Sequence, residues 1–269
     1  MRLQTLVDHC GETLLAIDPQ ALAAGPRSRS EPAASPPGVA VIYMFGALTP
    51  RSSSGWYGST PGMDGVRSAL ETAAASGEVG SIALVIDSPG GTVAGTPETA
   101  AAVRAAAARK PVYAIADTLA ASAAYWIGSQ ASQFFVAPSA DIGSIGVFSM
   151  HADYSRALSE GGINMTIVKS GLSEFKAEGN PYQPLTPEAL AAIQGRVDSA
   201  CADFIRAVAE GRNVPQSRVK TDFGRGRIVS AREAVAAGMA DGVMTTADML
   251  NGMMQKPGAR RMSKRASLI

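Results

Sequence analysis

Ile82-Ala83-Leu84-Val85-Ile86-Asp87-Ser88-Pro89-Gly90-Gly91 opens with an unbroken apolar run of strand length, Ile82 to Ile86, and ends in a proline and a glycine pair. Five successive apolar side chains with no alternating polar position mark a strand covered on both faces, as in a parallel sheet packed between helices. Val39 to Met44 has the same character, and shorter strands are expected at Val112 to Ile115, Phe134 to Val136, Ile145 to Phe148 and Met165 to Val168. Helical patterns fall between them. Thr96-Pro97-Glu98 offers an N-cap, a proline at the first helical position and an acid in the first turn, for a helix to about Arg109 that Pro111 forbids from continuing. A helix from Ser122 to about Gln130 and another near Tyr154 to Glu160 follow. Thr186-Pro187-Glu188 repeats the capping pattern. After it Leu190, Ile193, Val197, Ala200, Phe204 and Val208 recur at spacings of three and four, which predicts a long amphipathic helix to about Arg212. Ser230 caps a last helix through Ala237, stopped by Gly238. Strands alternating with helices predict an α/β fold with a mostly parallel sheet and flanking helices.

The chain has 269 residues, 46% of them hydrophobic, enough to bury one full core. With 24 basic and 23 acidic side chains the net charge is +1, so the overall charge gives no reason to expect nucleic acid or a membrane surface as a partner. Residues 1–20 read as a short N-terminal segment and 21–38, rich in Ala, Pro, Ser and Gly, as a flexible linker. The folded domain is expected over 39–250. Residues 251–269 read as a basic flexible tail, carrying Lys256, Arg260, Arg261, Lys264 and Arg265 without an acid after residue 255. Cys10 and Cys201 are too far apart and too isolated to suggest a disulfide framework or a zinc site, so no metal or cofactor is expected and a reducing compartment fits. Asp8 and Glu12 interrupt any signal-peptide core, and no apolar run reaches membrane-spanning length, so a cytoplasmic location is expected.

In a parallel sheet the strand C-termini and the following helix N-termini gather at one edge, where ligands bind. Asp87 to Gly91 follows one such strand, and Ser122 opens the helix after the next. Taken singly, Pro-Gly-Gly is a turn and a serine at a helix start is an N-cap. Taken together they suggest a nucleophile flanked by oxyanion donors: the Ala123 N–H on one side and the glycine pair on the other, where glycine allows the unusual dihedrals and leaves room for substrate. A base is still required. The chain has two histidines, His9 and His151. A triad would use His151 with Asp153 or Asp141; a dyad would use a lysine, with Lys176, Lys169 and Lys220 as candidates. A lysine serves as a base only where burial keeps it neutral, about three units below the ordinary 10.4.

At these residues the chain resembles the signal peptide peptidase A family of serine peptidases, and most closely its phage branch, the prohead (capsid maturation) proteases of lambda-like phages. The resemblance covers about residues 38 to 245. It rests on Asp87-Ser88-Pro89-Gly90-Gly91, Ala121-Ser122-Ala123, Gly143-Ser144-Ile145-Gly146-Val147, Lys176 with Gly179-Asn180-Pro181-Tyr182, and Ala234 to Gly242. It implies a Clp/crotonase-like fold and a Ser/Lys dyad with Ser122 as nucleophile and Lys176 as general base. It also implies Ser144 as the group that orients the lysine, and the Gly91 and Ala123 N–H groups as the oxyanion hole. Relatives commonly have Ser-Gly-x-x-Lys, whereas Leu172 to Phe175 here place four residues between Gly171 and Lys176. The implied partners are protein or peptide substrates, namely scaffold and capsid-precursor proteins in phage head maturation, and further copies of the chain in a homo-oligomer. The implied location is the host cytoplasm or the procapsid interior. Four other readings remain open: a bacterial-type protease degrading signal peptides, a Clp-type triad using His151, a crotonase-like acyl-CoA enzyme, and a catalytically inactive structural head component.

Overall fold

A computed structural model describes residues 14–17, 37–55, 58–60 and 62–255 of the protein. Its centre is a parallel sheet. Strand β2 (Val39–Phe45) lies along β5 (Ser81–Ser88), and β5 along β7 (Val112–Ala121). The ten residues of β7 are long enough to serve two partners in succession. Tyr113–Ala116 pair with β8 (Gln133–Val136), and Leu119–Ala121 pair with β9 (Asp141–Gly143), both in parallel. The sheet is completed by β10 (Ile228–Ser230), antiparallel to β9, and β11 (Gly242–Val243), parallel to β8, while β3 (Ser53–Gly55) and β4 (Gly58–Thr60) form a separate antiparallel pair.

The apolar run of β5 is explained by cover on both faces. Ile82, Leu84 and Ile86 point into the larger core, with Leu70 of helix α1 (Met63–Ala75), Val103 of α2 (Thr96–Arg109), Ile127 of α3 (Ala123–Gly128) and Phe204 of α5 (Pro187–Arg212). Ala83 and Val85 point the other way, into a smaller core closed by Met249 and Met253 of α8 (Thr246–Gln255). Each strand residue therefore leaves water whichever way it faces, and no polar alternation is possible. Helices α4 (Ser155–Glu160), α6 (Gln216–Asp222) and α7 (Ala231–Ala237) complete the fold.

The observed architecture is the expected α/β class, a mostly parallel sheet with flanking helices. Several local expectations change. The N-cap of α2 is Gly95, in left-handed backbone at φ 89°, and Thr96 is the first helical residue, its hydroxyl donating to the Thr92 carbonyl at 2.8 Å. Thr186 caps α5 as expected, accepting from the Ala189 N–H at 3.1 Å, and Ser230 and Glu233 form a capping box on α7. No strand forms over 165–168 or 145–148; Val168 is 91% exposed, so its apolar run has no sheet to join. The early stripe of α5 is also uncovered, with Leu190 exposed and Ile193 and Val197 half-buried, whereas Ala200, Phe204 and Val208 are buried.

Two boundaries move. The chain joins the folded body before Val39, because β1 (Leu15–Ile17) pairs antiparallel with β6 (Gly90–Thr92). The segment 251–255, assigned to the flexible tail, is helical. Most of the expected linker, the basic residues after 255, and His9 and Cys10 lie outside the described residues. Cys201 is half-buried, and burial pushes its thiol up.

Candidate active site

The site lies where β5 and β7 end. Ser122 follows the last residue of β7 and caps α3 with φ 54° and ψ −120°, outside the ordinary allowed regions for a residue with a side chain. Such backbone costs about 1–3 kcal/mol and persists only where its surroundings enforce it. Here the enforcement is visible. The Ser122 N–H donates to the Gly143 carbonyl at 2.7 Å, and its carbonyl accepts from the Trp126 N–H at 2.9 Å. Ser122 is 1% exposed, and among the described residues its hydroxyl has no hydrogen-bond partner.

The glycine pair faces this turn. Gly90 has φ 96°, and a Cβ added to it would stand 2.9 Å from both the Ala121 carbonyl oxygen and the Ala123 nitrogen, the two residues flanking Ser122. The same Cβ would stand 2.2 Å from the Ala16 carbonyl oxygen. Gly91 is constrained by close approach, since a Cβ there would lie 1.8 Å from the Leu48 oxygen. Ser88, fully buried, braces the turn by donating to the Gly46 carbonyl at 2.7 Å and accepting from the Gly90 N–H at 3.1 Å. Because Ser88 engages the Gly90 amide, Gly91 is the residue of the pair whose N–H is directed elsewhere. The Gly90 carbonyl and the Thr92 N–H both bond to Leu48, at 2.8 and 3.1 Å. By the alternation of a strand, the Gly91 N–H and carbonyl therefore face the opposite side, toward β1.

Ser144 stands beside Ser122 through the register that pairs Ala121 with Gly143. It is also in left-handed backbone, at φ 52°, is 8% exposed, and donates its N–H to the Arg227 carbonyl at 2.9 Å. The fold thus gathers Gly91, Ser122, Ala123 and Ser144. It does not bring Lys176 to them. Lys176 is exposed on an irregular loop, with its N–H bonded to the Ser173 carbonyl at 3.1 Å, and no hydrogen bond or ion pair engages its side chain among the described residues. The residues ahead of it are exposed, Leu172 at 99% and Phe175 at 63%. The far end of the loop is anchored: the Tyr154 N–H donates to the Pro181 carbonyl at 2.8 Å, and His151 Nε2 lies 3.0 Å from the Asn180 carbonyl oxygen. His151 therefore holds this loop, and the structure records no contact between it and Ser122. Hydrogen bonds from the Ser155 side chain and N–H hold the neighbouring Asp153 carboxyl below the usual carboxylate range, with the His151 ring adding in the same direction.

Sequence reasoning missed three participants. The Gly143 carbonyl and Ser88 brace the two turns, and both lie inside motifs that had already drawn attention. The third is the segment Leu14–Ile17, which carries no motif.

This arrangement defines an α/β protein with a buried, backbone-strained serine at the carboxyl edge of a parallel sheet, facing a glycine pair. The chain belongs to peptidase family S49, whose family model matches residues 104–260. It is 32% identical over 225 residues to "Capsid assembly protease C" of Escherichia phage lambda, covering 83% of this chain and 50% of that one. It is 30% identical over 217 residues to "Head-tail preconnector protein GP5" of Enterobacteria phage P21, covering 80% of this chain and 42% of that one. The chain thus spans half or less of the length of these two relatives. Among solved structures, a point mutant of ClpP1 from Listeria monocytogenes aligns with a TM-score of 0.49 at 14% identity, over 78% of this chain and 94% of that one. No helix among the described residues is long and apolar enough to cross a membrane.

Proposed function

We propose that the protein is a serine endopeptidase in which Ser122 attacks the scissile carbonyl, the Gly91 and Ala123 N–H groups hold the oxyanion, Lys176 is the general base and Ser144 orients the lysine. The observation that carries the reading is the strained Ser122 turn facing the Gly90-Gly91 pair, in a chain of family S49. Lys176 takes the Ser122 proton as the Oγ–carbon bond forms, then gives it to the leaving amine as the peptide C–N bond breaks. Water hydrolyses the acyl-enzyme and restores the serine. A positioned base is worth about 10²–10⁴ in rate and one oxyanion donor about 10²–10³.

This reading requires the Lys176 loop to close over Ser122 from its exposed position. Val168, Leu172 and Phe175 on that loop are apolar and exposed, which supports a closed arrangement stabilised by a neighbouring copy, and hence a homo-oligomer. The names of the phage relatives, a capsid assembly protease and a head-tail preconnector protein, support proteins of the assembling phage head, scaffold and capsid precursors, as the substrates.

The test is cleavage of β-casein, an unfolded general substrate, together with labelling by a fluorophosphonate. Wild-type protein should cleave casein and take the label at Ser122. Ser122→Ala should do neither, and cleavage at the wild-type rate by that variant would overturn the assignment.

A further inference from the structure

The proposed cleft is already filled by the protein's own chain. Leu15, Ala16 and Ile17 align antiparallel with Thr92, Gly91 and Gly90, and the Val93 N–H donates to the Leu14 carbonyl at 3.0 Å. On its other edge Leu15 exchanges both backbone hydrogen bonds with Phe148, at 3.0 and 3.1 Å. The segment is thus a strand inserted between two walls, the glycine-pair strand and Phe148, which is how an extended peptide is held by strand addition. Leu15 and Ala16 are buried, at 6% and 0% exposure.

The register fixes which bond faces the serine. Antiparallel ladders alternate hydrogen-bonded and non-bonded pairs, so a bonded Leu14–Val93 pair makes Ala16–Gly91 the next bonded pair. The Ala16 carbonyl consequently points at the Gly91 N–H. Its oxygen lies so close to Gly90 that a single added Cβ would clash with it and also crowd the backbone on both sides of Ser122. Only glycine at position 90 admits a carbonyl there.

Resting on the serine-peptidase reading above, we propose that Leu14–Ile17 is a built-in first substrate which blocks the cleft until Ser122 cleaves the Ala16–Ile17 peptide bond. Ser122 Oγ bonds to the Ala16 carbonyl carbon, its proton passing to the base. The Ala16–Ile17 C–N bond then breaks, and the Ile17 nitrogen takes that proton to leave as an amine. Water hydrolyses the Ala16 ester, leaving an Ala16 carboxylate and a free Ser122. The small Ala16 side chain and the buried Leu15 before it name the class of segment the cleft accepts: an extended strand with a small residue ahead of the cut and an aliphatic residue preceding that.

The experiment follows intact mass and N-terminal sequence of the full chain during incubation, with β-casein cleavage measured in parallel. The expected result is a new N-terminus at Ile17 in wild-type protein and an intact chain in Ser122→Ala. Casein cleavage should show a lag that matches the appearance of Ile17, and a chain beginning at Ile17 should show none and start at least 10-fold faster. Ala16→Arg, which keeps the chain full length but places a long charged side chain where Ala16 is buried, should slow the cut at this bond by at least 10-fold. A preparation that cleaves casein through Ser122 while its own chain stays intact, or is cut only elsewhere, overturns this inference and leaves the peptidase reading standing. If casein cleavage does not depend on Ser122, the peptidase reading itself fails.

Discussion

The Ser122 N–H donates to the Gly143 carbonyl at 2.7 Å, joining the ends of two adjacent parallel strands just where each enters a serine with positive φ. Ser122 and Ser144 therefore share one strained junction. A polar cluster of this kind is held by main-chain bonds, so side-chain changes should remove chemistry while leaving the fold intact.

Gly90→Ala tests the opening beside Ser122. Its Cβ would meet the Ala16 carbonyl and the Ala123 nitrogen in a backbone conformation, φ 96°, that favours glycine. We expect casein cleavage and fluorophosphonate labelling to fall by at least about 10²-fold, the value of one oxyanion donor. Far-ultraviolet circular dichroism should remain unchanged.

Lys176→Ala and His151→Ala distinguish the two candidate bases. Loss of the general base should lower kcat by about 10²–10⁴ with Lys176→Ala. His151→Ala removes a hydrogen bond to the Asn180 carbonyl, at a cost of about 1 kcal/mol, and should keep kcat within about tenfold of wild type. The opposite ranking in steady-state kinetics would install a His151 triad.

Phe204→Ala tests the clamp between α5 and α3. Phe204 is fully buried and stacks on Trp126 with centroids 4.6 Å apart and planes 12° from parallel. Removing the ring should cost about 3–5 kcal/mol by urea unfolding. An effect below about 1 kcal/mol would mean that α5 contributes little to the core.

Glu233 gives a pH dependence. Hydrogen bonds from the Ser230 side chain and N–H hold its carboxyl below the ordinary value. A carboxyl lowered in the folded state stabilises the protein fully above its unfolded pKa and loses that contribution as pH falls through the folded value. Glu233→Ala should therefore lower Tm at pH 7, with the difference shrinking below about pH 4.5. A Tm difference that grows in acid would contradict the sign.

The elements whose signals are local are legible in the residues alone. The unbroken apolar run of β5 marks a strand buried on both faces, and Thr186-Pro187-Glu188 and Ser230 mark two helix starts, because a cap is read within a few residues. The sequence also singles out Ser122 and the glycine pair, since a fixed strand-turn geometry needs those small residues. The rest depends on contacts between residues distant in the chain. Whether Met165–Val168 forms a strand depends on a partner that the fold does not supply, and whether Lys176 is buried depends on what packs over its loop. Most of all, Leu14–Ile17 carries no turn, cap or periodicity of its own. Only the folded sheet, offering the edges of Gly91 and Phe148 on either side of one narrow slot, makes that segment a strand and lays the Ala16 carbonyl beside Ser122.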